Sequence, residues 1–502
     1  MIPKRGKTMS NSFKDFNLNP NLYKSLDVLN YNVPTPIQSL VIPALLNHKD
    51  LVIKSKTGSG KTAAFSIPII QNIEWDKREP QVLVLTPTRE LAIQIKEDMF
   101  NIGRFSRIKV EAVYGKSSYE SQAKQLKQRT HVIVSTPGRL IDHITNKTVD
   151  LSHISALVID EADELLRMGF IDEVERIIHF LPRHRLTVLL SATMPTCIEK
   201  LSNLYMNNPE LIVIEDNELT ENKLTQYYYE VEQKDKLKLI DDVLITQNPN
   251  SAMIFCNTKQ PVDEVYDMMN EKAYLVQKIH GDMEQKDRVK VMNDFKHGMF
   301  RYLVATDVAA RGLDIDAVSL IVNYDIPYHA ESYVHRIGRS ARAGKEGLAI
   351  SFISNRESNF LDQIKTYTNQ DINLLEKPTK EVVNQALKVF QDRQTSDVVI
   401  KMGKGFEFKE EIMKIHINAG KKTKMRASDI VGTICAIPGL TAKDIGVITL
   451  LDISTFVEIL NKKGELVFQT LQTMPIKGRL RVVSKANKTE YELAYEANKT
   501  NK

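Results

Sequence analysis

The chain has 502 residues, 42% apolar and 26% charged, with a net charge of +5; that length suggests about three domains, and the balance is ordinary for a soluble globular protein. No apolar run approaches the roughly 18 residues of a membrane-spanning helix, and residues 1–12 are basic and polar without the apolar core of a signal peptide. Cys197, Cys256 and Cys435 lie far apart with no CxxC pair, which argues against disulfides and zinc and fits a reducing cytoplasm.

In chain order, residues 13–47 read as helical, with Pro34 and Pro36 punctuating a turn. The apolar run Leu51-Val52-Ile53 reads as a short buried strand, and Ala63 to Ile67 as a helix start. Between them stand Ser55, Lys56, Thr57, Gly58, Ser59, Gly60, Lys61 and Thr62. Strand, glycine-rich turn, Lys-Thr and helix make a P-loop, although the general pattern opens with Gly where Ser55 stands. Its backbone N–H groups and the helix N-terminus favour phosphate. Lys61 is placed for the β and γ phosphates and Thr62 for Mg²⁺.

Short apolar runs then alternate with helical segments: Val82–Leu85, Val132–Val134, Ala156–Ile159 and Val188–Leu190. That pattern implies a parallel sheet covered on both faces. Ligands of such sheets sit at the carboxyl ends of the strands. Each run here ends in a polar cluster, at Thr86–Glu90, Ser135–Arg139, Asp160–Asp163 and Ser191–Thr193. Asp160-Glu161 follows 99 residues after Lys61. In a P-loop ATPase a strand-end Asp holds Mg²⁺, and the adjacent Glu161 is placed to activate the attacking water.

Residues 208–225 read as a linker. A second alternating region has strands at 252–255, 302–305 and 319–322 and no P-loop, and 376–408 reads as a polar, mostly helical linker. The last region predicts strand 413–418, helix 429–436, strands 445–451 and 455–460, helix 465–472 and strand 479–483. This βαββαβ order suggests an RRM-like sandwich. From residue 401 onward 18 Lys and Arg face 11 Asp and Glu, a net +7 that leaves −2 for the rest. A basic terminal module suggests a nucleic-acid anchor, with a solvated basic surface as the alternative.

The tetrapeptide Asp160-Glu161-Ala162-Asp163 is the signature of the DEAD-box RNA helicases, which the chain resembles motif by motif in order. Phe13, Tyr31 and Pro34 to Gln38 are similar to the family's Q motif, with Asn30 where Gly is usual. The resemblance implies that Gln38, which offers a bidentate amide, recognises adenine together with Phe13 and Tyr31. Thr86 to Ala92, Gly115, Thr136 to Arg139 and Ser191 to Thr193 resemble further core motifs. So do Ile254 to Asn257, Gln285 to Arg288, Val304 to Asp314, and His335 to Arg342, with Ala341 where Gly is common. By this resemblance Arg339 and Arg342 are arginine fingers on the γ phosphate, and Asp314 contacts the ribose. RNA phosphates and sugars would meet Arg89, Gly115, Thr136 and Arg139 in one half and Arg288, Thr306 and Gly312 in the other. Such contacts carry no base sequence. One domain has the P-loop and the other the fingers, so ATP binding becomes a domain-closure switch.

Residues 409–486, with Gly420 to Arg426, Gly432 to Ile434 and Asp444 to Gly446, are similar to the C-terminal domain of the DbpA/YxiN group. The resemblance implies binding to a hairpin near the peptidyl-transferase region of large-subunit (23S) rRNA, on the pre-ribosomal large subunit. An ordinary RRM stacks bases on two or three sheet aromatics. Here the first strand offers His416 and the third only Phe456. The basic loop Lys421, Lys422, Lys424 and Arg426 is therefore the better candidate for gripping RNA phosphates, with Lys477, Arg479 and Arg481 extending it.

The expectation is an α/β protein: two RecA-like parallel-sheet domains in tandem plus a C-terminal α+β RRM-like domain. The boundaries are 1–12 N-terminus, 13–210 first helicase domain, 211–225 linker, 226–375 second helicase domain, 376–408 linker, 409–486 RNA-binding domain and 487–502 tail. The expected activity is that of an ATP- and Mg²⁺-dependent RNA helicase, cytoplasmic and monomeric, with no membrane partner, remodelling large-subunit rRNA during ribosome assembly. An ATP-gated RNA clamp and a DNA helicase of the same superfamily are the alternatives.

Overall fold

The computed structural model describes residues 12–55, 58–214, 224–307, 318–340, 346–395, 399–403, 405–488 and 492–493. Lys56, Thr57, Gly312, Asp314 and Arg342 lie outside the described residues. The chain forms two compact units, one holding 12–55 and 59–214 together with the chain from Met402, the other holding 224–401.

Among the described residues the first sheet has seven strands: β1 (Leu51–Lys54), β2 (Val82–Leu85), β3 (Val110–Val113), β4 (Val132–Ser135), β5 (Ala156–Ile159), β6 (Leu186–Ser191) and β7 (Glu210–Val213). Their order is β3-β4-β2-β5-β6-β1-β7, and every pairing is parallel. Strands β2 to β5 are buried along their whole length. Val82 and Val84 enter one core layer and Leu83 and Leu85 the other, the alternation of a strand covered on both faces. β7 falls where the sequence reads as a linker. Leu211 to Val213 pair in register with Val52 to Lys54 at the sheet edge, so the first domain runs past the polar residues that suggested its end.

The second unit repeats the plan with β8 (Leu224–Glu230), β9 (Ala252–Cys256), β10 (Val276–Ile279), β11 (Tyr302–Thr306), β12 (Leu320–Asn323), β13 (Gly347–Ile353) and β14 (Asn373–Leu374). The order is β10-β11-β9-β12-β13-β8-β14, again parallel throughout. Much of the stretch read as a second linker is a helix, Lys380–Thr395. It belongs to this unit: Phe390 is buried in the core, 5.1 Å centroid to centroid from Tyr274. Val383, Ala386 and Leu387 pack on the same core at helical spacing with Phe390, so the helix is expected; what the sequence does not give is the body against which that apolar face packs.

The third sheet contains β15 (Met413–Ile417), β16 (Ile445–Leu450), β17 (Thr455–Ile459) and β18 (Val483–Lys485), antiparallel in the order β16-β17-β15-β18. With helices Ala427–Cys435 and Gly464–Leu471 it has the expected βαββαβ order. Its last strand starts later than 479. Lys477 and Gly478 adopt positive φ, and Ile476 pairs with Arg479, so a tight turn consumes those residues. Among the described residues no helix is long and apolar enough to cross a membrane.

Candidate active site

Strand order decides which motifs meet. β5, β6 and β1 are neighbours, so the turns after Ile159, Ser191 and Lys54 converge at the carboxyl end of the sheet, where parallel sheets place ligands. Ser55 N–H donates to the Ser191 carbonyl at 3.1 Å, tying the P-loop to the β6 turn. Gly58 and Gly60 take φ of 84° and 91°, a region closed to most side chains. Lys61, first residue of helix Lys61–Gln71, is buried and donates to the Ser55 carbonyl at 2.9 Å. The Ser55 and Ser59 hydroxyls lie 2.8 Å apart. Ser55 thus closes the loop on itself where the general motif has Gly.

The segment expected to bind adenine also braces this loop. Thr35 Oγ1 donates to the Ser59 carbonyl at 3.1 Å, and Gln38 Nε2 to the Gly60 carbonyl at 3.3 Å. Gln38 Oε1 accepts from Thr35 N–H at 2.9 Å. A primary amide has two donors and two acceptor lone pairs, so each end of Gln38 keeps capacity for one more partner. Phe13 stands edge-on to Tyr31 at 6.0 Å.

Asp160 is buried directly after β5, and its Oδ1 accepts from Glu161 N–H at 2.9 Å. Burial pushes its carboxyl above the usual range, against the opposing pull of the Lys61 ammonium. Glu161 occupies the left-handed region at φ 48°, a strained conformation for a glutamate. Asp163 Oδ2 accepts from Ala192 N–H at 3.1 Å, Thr193 N–H at 2.9 Å and Thr193 Oγ1 at 3.0 Å. One carboxylate therefore locks the turns after β5 and β6 together. The Thr62 hydroxyl and the Asp160 carboxylate are hard oxygen donors of the kind Mg²⁺ takes, and Mg²⁺ is commonly held by one or two carboxylates plus phosphates and water. The described residues contain no group of three or more acidic, His or Cys side chains able to cage a metal.

The other half of the sheet, β3-β4-β2, carries the remaining polar turns. Arg89 opens helix Arg89–Ile102, capped by Thr88, and its Nη2 lies 3.6 Å from where a Cβ on Gly115 would stand. Thr136 caps helix Pro137–Thr145. Arg139 gives its Nη1 to the Ser117 carbonyl at 3.0 Å and to Gln122 Oε1 at 2.9 Å, so it braces the loop behind Gly115. His143, stacked on Tyr119 at 4.4 Å, is held neutral by burial and the Arg139 charge, its pKa lowered to about 4.

In the second unit Arg336 is almost fully buried. It pairs with the Asp307 carboxylate and donates to Asn323 Oδ1 (3.2 Å), the Asp325 carbonyl (2.6 Å) and Asn257 Oδ1 (2.9 Å). Lys236, also fully buried, faces Asp325 at 3.3 Å and Glu357 at 3.5 Å. Arg339 and Arg288 are buried, and Thr306 ends β11. In the third domain Lys421 and Lys422 N–H groups donate to the Leu451 and Asp452 carbonyls, both at 2.8 Å. Met425 is buried, while Lys421, Lys422, Lys424 and Arg426 are exposed. The loop is a fixed platform of cations.

Three family models match in succession: DEAD/DEAH box helicase over residues 35–201, helicase conserved C-terminal domain over 235–344, and DbpA RNA binding domain over 414–485. The chain is 50% identical to the ATP-dependent RNA helicase DbpA of Bacillus subtilis, over 95% of this chain and 99% of that protein. The chain is a DEAD-box ATP-dependent RNA helicase of the DbpA group. The helicase is also 44% identical to the DEAD-box ATP-dependent RNA helicase CshA of Geobacillus kaustophilus, over 73% of this chain and 79% of that one. Saccharomyces cerevisiae Dbp5 bound to RNA and ADP BeF3 superposes with a TM-score of 0.67 at 30% identity, covering 75% of this chain and all of that one. Mss116p bound to ssRNA and AMP-PNP gives 0.66 at 26%, covering 77% and 82%.

Asp163, Thr193, Asp307 and Arg336 stand within the quoted motifs with no individual role in the sequence reading; Asp163 and Thr193 tie turns together inside the first unit of this helicase, and Asp307 and Arg336 pair inside the second. Lys236 and Asp325 left no signal, because a lysine next to Asp235 in a polar stretch reads as surface.

Proposed function

We propose that this helicase locally unwinds or remodels large-subunit rRNA during ribosome assembly, in the cytoplasm and as a monomer, and that its C-terminal domain delivers it there by gripping a structured hairpin through Lys421, Lys422, Lys424 and Arg426. The observation that carries this reading is the match to DbpA across nearly the whole chain, the RNA-binding domain included. Within the ATP site, Ser55 to Thr62 cradle the phosphates, Gln38 with Phe13 and Tyr31 takes the adenine, and Asp314 the ribose. Mg²⁺, held through Thr62 and Asp160, would supply charge neutralisation between the β and γ phosphates. Glu161 takes a proton from the attacking water as its oxygen bonds to the γ phosphorus and the bond to the β-phosphate oxygen breaks. Lys61, Arg339 and Arg342 stabilise the charge on the transferring group; one such arginine is worth about 10³–10⁵ in rate in comparable systems. Arg89, Gly115, Thr136, Arg139, Arg288, Thr306 and Gly312 hold the RNA backbone.

The test is steady-state ATPase at saturating ATP, titrated with large-subunit rRNA, small-subunit rRNA and random-sequence RNA. The proposal expects activation by the first at far lower concentration. Equal activation by all three would reduce the protein to a general RNA remodeller.

A further inference from the structure

The third domain does not hang free of the first. A small apolar cluster joins them: Phe105, with Val28 and Leu29 against it, meets Phe408, Ile412 and Leu460, and Leu29 also packs on the first domain's core. The Phe105 and Phe408 rings lie 5.6 Å apart. At its centre Arg104 Nη2 pairs with Glu458 Oε1 at 2.8 Å, with side chains only 15% and 6% exposed, and the Arg104 guanidinium also covers the Phe408 ring at 4.8 Å. Polar contacts rim the cluster. Lys24 pairs with Glu411 at 3.0 Å and donates to Asn461 Oδ1 at 3.0 Å. Arg107 Nη1 donates to the Ala442 carbonyl at 3.2 Å, and Lys124 reaches Asp452 at 3.9 Å.

Glu458 sits on the outer face of the sheet. Its neighbours Val457 and Ile459 enter the core, and its cross-strand partner is Lys414. Gly446 leaves it room, since a Cβ there would meet Glu458 Cβ at 2.9 Å. A carboxylate buried on the face that RRM-type sheets offer to bases is poorly suited to RNA and well suited to a cation. Among the described residues Arg104 Nε and Glu458 Oε2 have no hydrogen-bond partner, so the pair meets through Nη2 and Oε1. Burial of incompletely satisfied charges costs stability that hydration on opening returns, so the contact is built to hold and to release.

We propose that the Glu458 side of the RNA-binding domain's outer sheet face is a docking surface for the first helicase domain, with Arg104 as its key, and that docking presents RNA bound on the 421–426 loop to that domain. Tethered presentation raises effective concentration without new RNA contacts. The proposal rests on the reading that this domain receives the RNA.

Zero-length carbodiimide cross-linking of the full chain, mapped by mass spectrometry, tests the docking without RNA. The expected products are Lys24–Glu411 and Lys124–Asp452, lost in Arg104→Glu and in Glu458→Arg and restored in the double charge swap. Basal ATPase unchanged in every variant verifies folding. In RNA-stimulated ATPase, the single variants should raise the half-activating rRNA concentration about tenfold with saturated turnover unchanged, and the swap should return it. Wild-type protein without these cross-links overturns the docking. Cross-links lost with no change in half-activating RNA overturn the presentation role. Loss of rRNA preference on removing residues 405–502 is a separate readout of the underlying RNA reading, so the two failures are distinguishable.

Discussion

At the scale of single residues, environment sets the chemistry of each group. Glu161 stands beside a carboxylate whose proton affinity is raised by burial, on a turn that holds its backbone at positive φ. Glu161→Gln keeps the shape and removes the basic oxygen. We expect ATP binding to persist while turnover falls by about 10²–10⁴, the usual worth of general acid–base catalysis; unchanged turnover would transfer the role to another group. His131 and His143 are both held neutral, chiefly by burial, with pKa values lowered to about 4 from 6.5. A folded-state pKa below the unfolded one means the unfolded chain binds more protons at acid pH. Their contribution is complete above about pH 6.5 and is lost as pH falls toward 4. The melting temperature of the first domain should therefore decline across that window, and less steeply in a His143→Gln variant.

At the scale of elements, the P-loop shows how local chemistry and neighbours combine. Gly60 needs φ of 91°, and a methyl group there would stand 2.8 Å from Gln38 Nε2. Gly60→Ala should cost about 1–3 kcal/mol through backbone strain and weaken ATP binding further by displacing Gln38, read as a lowered melting temperature with a raised KM for ATP. Much of this was legible in the sequence. The glycines, Lys61 and the strand before them are contiguous, and contiguous patterns survive without knowledge of the fold. The edge strand β7 was not legible, nor was the packing of the expected helix Lys380–Thr395 on the second unit's core, because each depends on pairing or packing with residues far away in sequence. Propensity alone does not report such support.

At the scale of the whole molecule, three domains divide the work of one chain. Removing residues 405–502 should leave basal ATPase near the full-length value while abolishing any preference for large-subunit rRNA over unrelated RNA. Comparison of the two proteins in the three-RNA titration measures this, and a retained preference would move specificity into the helicase core. The truncation also uncovers Phe105 and Leu29, so the shortened protein should melt at a lower temperature.

The sequence by itself determined the motifs: a P-loop, a DEAD turn, an arginine-rich motif and a basic βαββαβ tail, each written in adjacent residues and so readable without the fold. Tertiary structure alone decided which turns meet, since the order β5-β6-β1 brings Asp163 to Thr193 and Ser55 to Ser191. It also decided that Arg336 and Lys236 are buried among acceptors, and that Arg104 finds Glu458 354 residues away. Periodicity records which face of an element is buried, but not against what; that is fixed only when the sheets close and each buried charge must find its partner.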